Sequence, residues 1–471
     1  MNLRYPKLFI SFFTLLLFSS SSCKKFVEVD APVTSVNSKN VFNSNETATA
    51  VLTGIYIDLS RTIWMLSLTP ALSSDEITLY GGSSSSNTSY IPIYLNLLDP
   101  KKLDLSDFCS SFYPKIYTLN LAIESLGTAK NLTQAVKTQL LGEAYFMRAF
   151  YYFYLVNFYG DVPLSISTDY TKNGTLSRSL KSKVYELIID DLMKAKTFLS
   201  AQYLTGNALT PYPTGVEERV RPTKWAAEAL LARVNLYNGY WKNAEEEASL
   251  VINNVSLYHL TSLDKTFLKN NAESIWQLQP VDAFLNTIDA TNFIFLSTRS
   301  CYLSDDLVNS FEVNDKRKSN WVNQITIDGV SYPYAFKYKV DVGDHPVDEY
   351  TVVLRLAEQY LIRAEARAEL GDLSGAEDDL NIIRARAGLG NVSIKNKVDI
   401  LAAILHERQI EFFTELGHRW LDLKRTKNID NVMSIVCLKK GGIWNTNKQL
   451  YPFSSKDIQY DPNLIQNPGY Q

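Results

Sequence analysis

Residues 353–390 constrain the fold most, because their apolar side chains recur at helical spacing on both sides of one tight turn. Gly371 separates the two periodic segments, and glycine closes a helix in the left-handed conformation without a Cβ penalty. Small residues at Ala364 and Ala376 allow two helix backbones to approach closely. The stretch therefore predicts a helical hairpin of the tetratricopeptide kind, with further hairpins stacked on its remaining apolar surface.

Residues 225–253 repeat this hairpin pattern earlier in the chain. Gly239 occupies the place of Gly371, and Ala244 the place of Ala376, at one constant separation. That separation is much longer than a single repeat, so other material lies between the copies. The alternative is two unrelated hairpins that both need a glycine turn and small contact residues.

Two long segments, 61–107 and 257–352, lack the helical period and interrupt the scaffold. The first contains a GGSSSS run at 81–86, and the second contains strand-like pieces at 274–278 and 333–338. Loops of this length are uncommon in a compact domain unless they are functional. We predict a mainly α fold in which residues 41–471 form one domain: a tetratricopeptide-like helical-hairpin scaffold with two long irregular loop insertions and minor β structure.

The N-terminus has the layout of a secretory signal peptide over residues 1–22. Arg4 and Lys7 precede an apolar run that is too short to span a bilayer permanently, and a serine run then leads to Cys23. This layout resembles a bacterial lipoprotein signal, which predicts lipidation of Cys23 and a polar stalk over residues 23–40. The alternative is ordinary cleavage with Cys23 merely nearby.

Composition and motif searches exclude several classes of function. The net charge of −3 carries no basic surplus, so we expect no nucleic-acid partner. The four histidines include no HExxH pair, and the sequence has no GxSxG, P-loop or dinucleotide glycine pattern. We therefore predict no metal and no cofactor. The cysteines after Cys23 have no CxxC spacing and are expected to be buried thiols; they are Cys109, Cys301 and Cys437.

Aromatic residues in the two insertions are the best candidates for ligand contact. Sugar rings present flat C–H faces that stack on tryptophan and tyrosine, while polar side chains bind the hydroxyl groups. The candidate ligand-binding residues are Trp64, Asp75, Tyr80, Tyr90, Tyr302 and Trp321. Asp75 and Glu76 are also the one carboxylate pair that could be nominated for glycosidase chemistry, although exposed loop acids are the plainer interpretation.

The densest charge pattern spans residues 406–425. Its acids and arginines lie within one helical turn of each other, as Arg408 does with Glu411 and Arg419 with Asp422. Each acid has an arginine near enough to keep it ionised and occupied. The pattern favours ion pairs that join two helices over a catalytic use.

Several segments in order resemble the SusD/RagB family of outer-membrane nutrient-binding lipoproteins, and together they cover essentially the whole mature chain. They are CKKFVEVD at 23–30, Arg148 with YGDVPL at 159–164, RPTKWAA at 221–227, RLAE at 355–358, ERQIEF at 407–412 with GHRWLDLKR at 417–425, YPF at 451–453 and NPGY at 467–470.

The resemblance implies a non-enzymatic, lipid-anchored outer-membrane protein that faces the cell exterior and binds an oligosaccharide. It also implies a partner, a SusC-like TonB-dependent transporter that receives the nutrient. The family's ligand contacts lie in variable loops, so no ligand residue is transferred by position. Two other functions stay open: a glycoside hydrolase on a helical scaffold, and a helical-repeat assembly lipoprotein that binds only protein.

Overall fold

The secondary structure is given by a computed structural model that describes residues 41–295 and 301–470. The helices are α1 Asn45–Thr62, α2 Trp64–Ser73, α3 Ile91–Tyr94, α4 Phe108–Thr128, α5 Gln134–Tyr159, α6 Tyr170–Asn173, α7 Lys181–Phe198, α8 Lys224–Tyr237, α9 Trp241–Ile252, α10 Ile288–Phe293, α11 Asp305–Ser310, α12 Lys316–Trp321, α13 Leu356–Leu370, α14 Leu373–Arg386, α15 Lys397–Glu411, α16 His418–Arg425, α17 Ile429–Lys439 and α18 Ser455–Tyr460. The strands are β1 Ile77–Leu79, β2 Val162–Pro163, β3 Arg178–Ser179, β4 Ser274–Leu278, β5 Cys301–Leu303, β6 Val322–Ile327, β7 Val330–Ala335 and β8 Thr351–Arg355. The signal peptide, Cys23 and the stalk lie outside the described residues.

Both predicted hairpins form. The turn between α13 and α14 places Gly371 at φ 92°, and the turn between α8 and α9 places Gly239 at φ 75°. Ala364 and Ala376 are fully buried, as close helix packing requires. Helix α9 packs directly on α13, so the two hairpins are neighbours in space although insertion 257–352 separates them in sequence. The fold is predominantly helical, as predicted.

Helix α5 is deeply buried in the scaffold over its second half. Almost every residue from Phe146 to Tyr159 is buried, on all faces of the helix. A helix that is apolar all round belongs inside the protein body. Helices α4 and α7 pack against it, so α5 forms the centre of the N-terminal half.

The expectation that insertion 61–107 lacks helices is wrong. Residues Trp64–Ser73 form α2, in which Leu66, Leu68, Ala71 and Leu72 are all buried. A helix buried on every side has no polar face, so no amphipathic period shows in its sequence. Insertion 257–352 likewise contains the short helices α10 to α12.

Four antiparallel two-stranded sheets account for the β structure among the described residues. The predicted strand at 274–278 is confirmed as β4, and β7 covers the first part of the piece at 333–338. β4 pairs with β8, and every residue of both strands is buried. This pairing brings the chain back to α13 after the second insertion.

The two insertions pack together into one apolar core. Leu79 and Ile93 come from the first insertion, Leu303 and Trp321 from the second, and Phe413 from the segment after α15. All five side chains belong to the same buried cluster. The insertions therefore form one body that rests on the helical scaffold.

Glu411, at the end of α15, is the centre of a buried ion-pair network. Its carboxylate accepts hydrogen bonds from Arg317 at 3.0 Å, from Arg355 at 2.5 Å and from Arg386. Burying an ion without a partner is strongly unfavourable, so these four groups need each other. The network ties α12, β8 and α14 to α15.

A second set of ion pairs holds the first insertion and α16. Arg408 of α15 binds Asp422 of α16 at 2.7 Å, which confirms that opposite charges join two helices. The expected local pairing of Arg419 with Asp422 is wrong. Arg419 instead binds Asp75 through hydrogen bonds of 2.9 and 2.7 Å, and so fixes the chain just before β1.

We predict that Glu411→Gln lowers the free energy of unfolding by about 3–5 kcal/mol, because it leaves buried arginines without their shared counter-ion. Urea or thermal unfolding measures the loss. The matched control is Glu246→Gln, since Glu246 is exposed and lies 3.9 Å from Lys242. An exposed pair of this kind contributes little, so the control should unfold like the native chain.

The effect of Glu411→Gln should also depend on pH. Burial acts to raise the pKa of Glu411, but Arg386, Arg355 and Arg317 hold it well below its usual value. A lowered folded-state pKa gives stability that is present above the unfolded-state pKa of about 4.3 and is lost as the pH falls further. The stability difference between the native chain and the variant should therefore begin to shrink as the pH falls below about 4. A difference that stays constant down to pH 3 would contradict the assigned role.

Candidate functional site

Strand pairing between the two insertions brings Tyr80 and Tyr302 to the same place. β1 and β5 are antiparallel, and Thr78 lies opposite Tyr302. Tyr80 follows directly after β1. Two candidates that are far apart in sequence are thus neighbours in the fold.

Four aromatic rings form what we term the tyrosine cluster: Tyr80, Phe295, Tyr302 and Tyr332. The ring centroids of Tyr80 and Tyr332 lie 5.4 Å apart, and those of Tyr302 and Tyr332 lie 5.1 Å apart, both edge to face. Phe295 stacks on Tyr332 at 5.5 Å. Phe295 is buried, whereas the three tyrosines are partly open to solvent, and Tyr80 is 38% exposed. The cluster is an aromatic surface with a buried base.

The chain turns sharply after Tyr80, which keeps this ring at the surface. Gly81 and Gly82 have φ values of 78° and 55°, a conformation that side chains with a Cβ rarely adopt. A Cβ on Gly81 would also lie 3.1 Å from the backbone of Ser85. The glycine pair in the GGSSSS run therefore sets the direction of the loop beside the cluster.

The phenol groups of Tyr302 and Tyr332 are neutral at physiological pH. Burial raises the pKa of Tyr302 further above its ordinary value, and burial with the neighbouring Tyr80 does the same for Tyr332. The carboxylates of Asp305 and Asp328 act in the same direction. The cluster can therefore offer ring faces and edges for stacking and hydroxyl groups for hydrogen bonds.

Trp64 and Tyr90 border the same apolar core but lie on other elements. Trp64 begins α2, is partly exposed, and donates its indole N–H to the Arg61 carbonyl at 3.0 Å. Tyr90 is partly buried at the start of α3. Both pack against the core that supports the tyrosine cluster.

The prediction that Trp321 and Asp75 bind a ligand is wrong. Trp321 is fully buried, and its indole N–H donates to the Leu263 carbonyl at 2.9 Å. Asp75 is buried and fully engaged by Arg419, which holds its pKa below the usual value although burial opposes this. Both residues serve the interior of the protein.

Glu76, the partner of Asp75 in the nominated carboxylate pair, is also buried. Burial and the neighbouring Asp75 raise the pKa of Glu76 to about 8, and its carboxyl group accepts the Thr414 N–H at 3.1 Å. The two side chains are therefore committed to internal contacts rather than to an open cleft.

Phe295 and Tyr332 were not predicted from the sequence as candidate ligand-binding residues. Tyr332 lies on β7, which pairs with β6 across a turn at Asp328-Gly329, where both residues have positive φ. An Asp-Gly pair between alternating residues is a strong hairpin signal and could have placed Tyr332 on an exposed strand. Phe295 carries no comparable signal.

The described residues contain no group of three side chains arranged to hold a metal ion. A cavity of 1,050 Å³ lies elsewhere, among α8, α13, α15 and α16. Its arginines are already paired, Arg419 with Asp75 and Arg425 with Glu365. These charges are therefore not free for a ligand.

Two family models, taken together, match most of the chain. One, described as the SusD family, matches residues 337–470. The other, described as starch-binding associating with outer membrane, matches residues 25–236. This chain belongs to the SusD family. The resemblance seen in the sequence is thereby confirmed.

Relatives of this SusD-family protein are similar over nearly its whole length. SusD-like protein P2 of Formosa agariphila is 25% identical over 97% of this chain and 99% of the relative. A laminarin-binding SusD-like protein of known structure has a TM-score of 0.74 at 23% identity, over 90% of this chain and 99% of that one. Surface glycan-binding protein A from Bacteroides uniformis has a TM-score of 0.75 at 19% identity, with the same coverage. Both structures share the fold.

One further property concerns the membrane. Within residues 41–295 and 301–470 of this SusD-family protein, no helix combines the length and apolar character that a bilayer span needs. The predicted lipid anchor at Cys23 falls outside these residues.

We predict that Trp321→Ala lowers the free energy of unfolding by about 3–5 kcal/mol, because it opens a cavity in the shared core. Thermal or urea unfolding measures this loss. Trp225→Ala is the control, since Trp225 is only partly buried and should cost less. If Trp321→Ala leaves the stability unchanged, the core role of Trp321 is contradicted and this residue is again a candidate for ligand contact.

Proposed function

We propose that this SusD-family protein binds an oligosaccharide at the tyrosine cluster and delivers it to a TonB-dependent outer-membrane transporter. The observation that carries the proposal is the partly exposed group of Tyr80, Tyr302 and Tyr332, which both insertions build on a buried base. Such rings stack on the C–H faces of sugars. The laminarin-binding and surface glycan-binding neighbours of similar fold support a sugar ligand.

The proposed cellular location is the outer membrane. The matching family model is described as associating with that membrane. Cys23 follows an export signal of the lipoprotein kind, so the anchor would be lipid attached to this residue. The polar stalk that the sequence predicts over residues 23–40 would let the domain face a transporter in the same membrane.

The proposed role is binding without bond cleavage. The one nominated carboxylate pair, Asp75 and Glu76, is buried and engaged by Arg419 and the Thr414 N–H. Stacking and hydrogen bonds are sufficient to capture a sugar and release it unchanged. Release of new reducing ends from a polysaccharide by the purified protein would favour the glycosidase alternative.

We predict that Tyr80→Ala and Tyr302→Ala each weaken oligosaccharide binding by about fivefold, which corresponds to one aromatic contact of about 1 kcal/mol. Isothermal titration calorimetry with laminarin, starch and other neutral oligosaccharides measures the affinity. Tyr240→Ala is the matched control, since Tyr240 is 51% exposed and lies in the turn before α9.

The control variant should bind as tightly as the native chain, and all three variants should unfold at nearly the same temperature. Equal losses of affinity in Tyr240→Ala and Tyr302→Ala would contradict the assignment of the site. Co-purification of the lipidated protein with a TonB-dependent transporter tests the partner, and Cys23→Ala should abolish the anchor.

A role in binding protein alone is the second candidate. The 1,050 Å³ groove between the helices favours it, because helical-hairpin grooves can accept peptide segments, and Val398 at its edge is 77% exposed. This role predicts that no glycan alters the tryptophan fluorescence of the protein. It also predicts that expression does not depend on the sugar supplied for growth.

A further inference from the structure

A second cavity, of 510 Å³, lies between α4 and the C-terminal segment that carries α18. None of the four rings of the tyrosine cluster lines it. Its volume falls within the range of about 300–1,000 Å³ that is usual for small-molecule sites. The cavity is therefore large enough for a ligand of its own.

Aromatic rings stand on two sides of this cavity. Tyr117 on α4 is 45% exposed, and Tyr460 on α18 is 73% exposed. Tyr113 lies deeper, and its hydroxyl donates to the Pro163 carbonyl at 2.8 Å, which fixes its ring. Two open rings and one fixed ring give flat apolar walls on which a sugar ring can stack.

Asp457 of α18 also lines this cavity. Its Oδ2 atom is buried and has no hydrogen-bond partner among the described residues. A buried acceptor without a donor costs about 1–3 kcal/mol, so a side-chain rotation that brings this carboxylate to a ligand hydroxyl in the cavity would recover part of that cost. Asp461, one helical turn further on, lines the same wall.

The C-terminal segment that forms this wall is held firmly in place. The Tyr451 N–H donates to the Phe158 carbonyl at 2.9 Å, and the Asn467 side chain donates to the Tyr159 carbonyl at 3.0 Å. Arg178 donates to Asn467 at 2.6 Å. A wall that is ordered before binding loses little conformational entropy when a ligand arrives.

We propose that this cavity is a second binding site for a neutral sugar of about one or two rings. Tyr117 and Tyr460 stack on the sugar, and Asp457 accepts a hydrogen bond from one of its hydroxyl groups. The choice of ligand class rests on the proposed function, but the site itself does not share residues with the tyrosine cluster. Asp457 and Asp461 disfavour an anionic sugar. Lys456, the cation at the rim, lies over the Tyr460 ring at 6.0 Å.

The test uses the full domain and the probes maltose, cellobiose and laminaribiose in saturation-transfer NMR and calorimetry. The background is the double variant Tyr80→Ala, Tyr302→Ala, in which binding at the tyrosine cluster is weakened. On this background, Tyr460→Ala should lower the affinity for the best probe by about fivefold, as expected for one stacking contact. Asp457→Asn should lower it by about tenfold, as expected for one hydrogen bond to a charged group. Tyr240→Ala should leave it unchanged.

The outcomes separate this inference from the proposed function. Binding that disappears with the tyrosine-cluster substitutions and is unaffected by Tyr460→Ala or Asp457→Asn would overturn the second site and leave the first. Binding that persists in the double variant and falls with the cavity substitutions supports the second site, whatever the state of the first. If no probe binds the double variant while the native chain binds one, the second site is overturned.

Discussion

The arrangement of this molecule depends on a cluster of buried charges around Glu411. Arg355 contacts three carboxylates, those of Glu273, Glu411 and Glu415. Arg317 also contacts three, those of Asp315, Glu407 and Glu411. Ions removed from water are tolerated only when each has its partners in place. The elements that carry them must therefore come together in one arrangement, because any other packing would leave a buried charge alone.

This constraint explains how short strands can support the proposed binding surface. β1 and β5 have three residues each, and an isolated pair of that size would not be stable in water. The ion pair between Asp75 and Arg419 fixes the chain immediately before β1, and the shared apolar core supports the strands from below. Packing and charge pairs outside the tyrosine cluster therefore help to hold it in place.

Local features of the scaffold could be predicted from the sequence, and the features that depend on long-range packing could not. The glycine turns at Gly239 and Gly371 and the buried small residues follow from helical spacing alone. Helix α2 was missed because burial on every side removes the amphipathic signal. The prediction that Trp321 and Asp75 contact a ligand failed because a position in a predicted loop does not indicate how deeply a side chain is buried. Here the two insertions pack against each other and bury both side chains. Tyr80 and Tyr302 were nominated separately, and only the pairing of β1 with β5 unites them.

The residues that hold the fold together and the residues proposed to contact a ligand are largely separate sets. Near the first site, the buried Asp75 is paired with Arg419, and Asp306, close to β5, is paired with Lys439 at 2.6 Å. Burial raises the pKa of Tyr302 and of Tyr332 above its ordinary value, so a sugar at the proposed site would meet uncharged phenols there and would change no buried charge. Substitution of a surface ring then alters affinity with little effect on stability, whereas substitution in the network alters stability first. Such a division lets the loops vary in ligand preference while the charged interior keeps one fold.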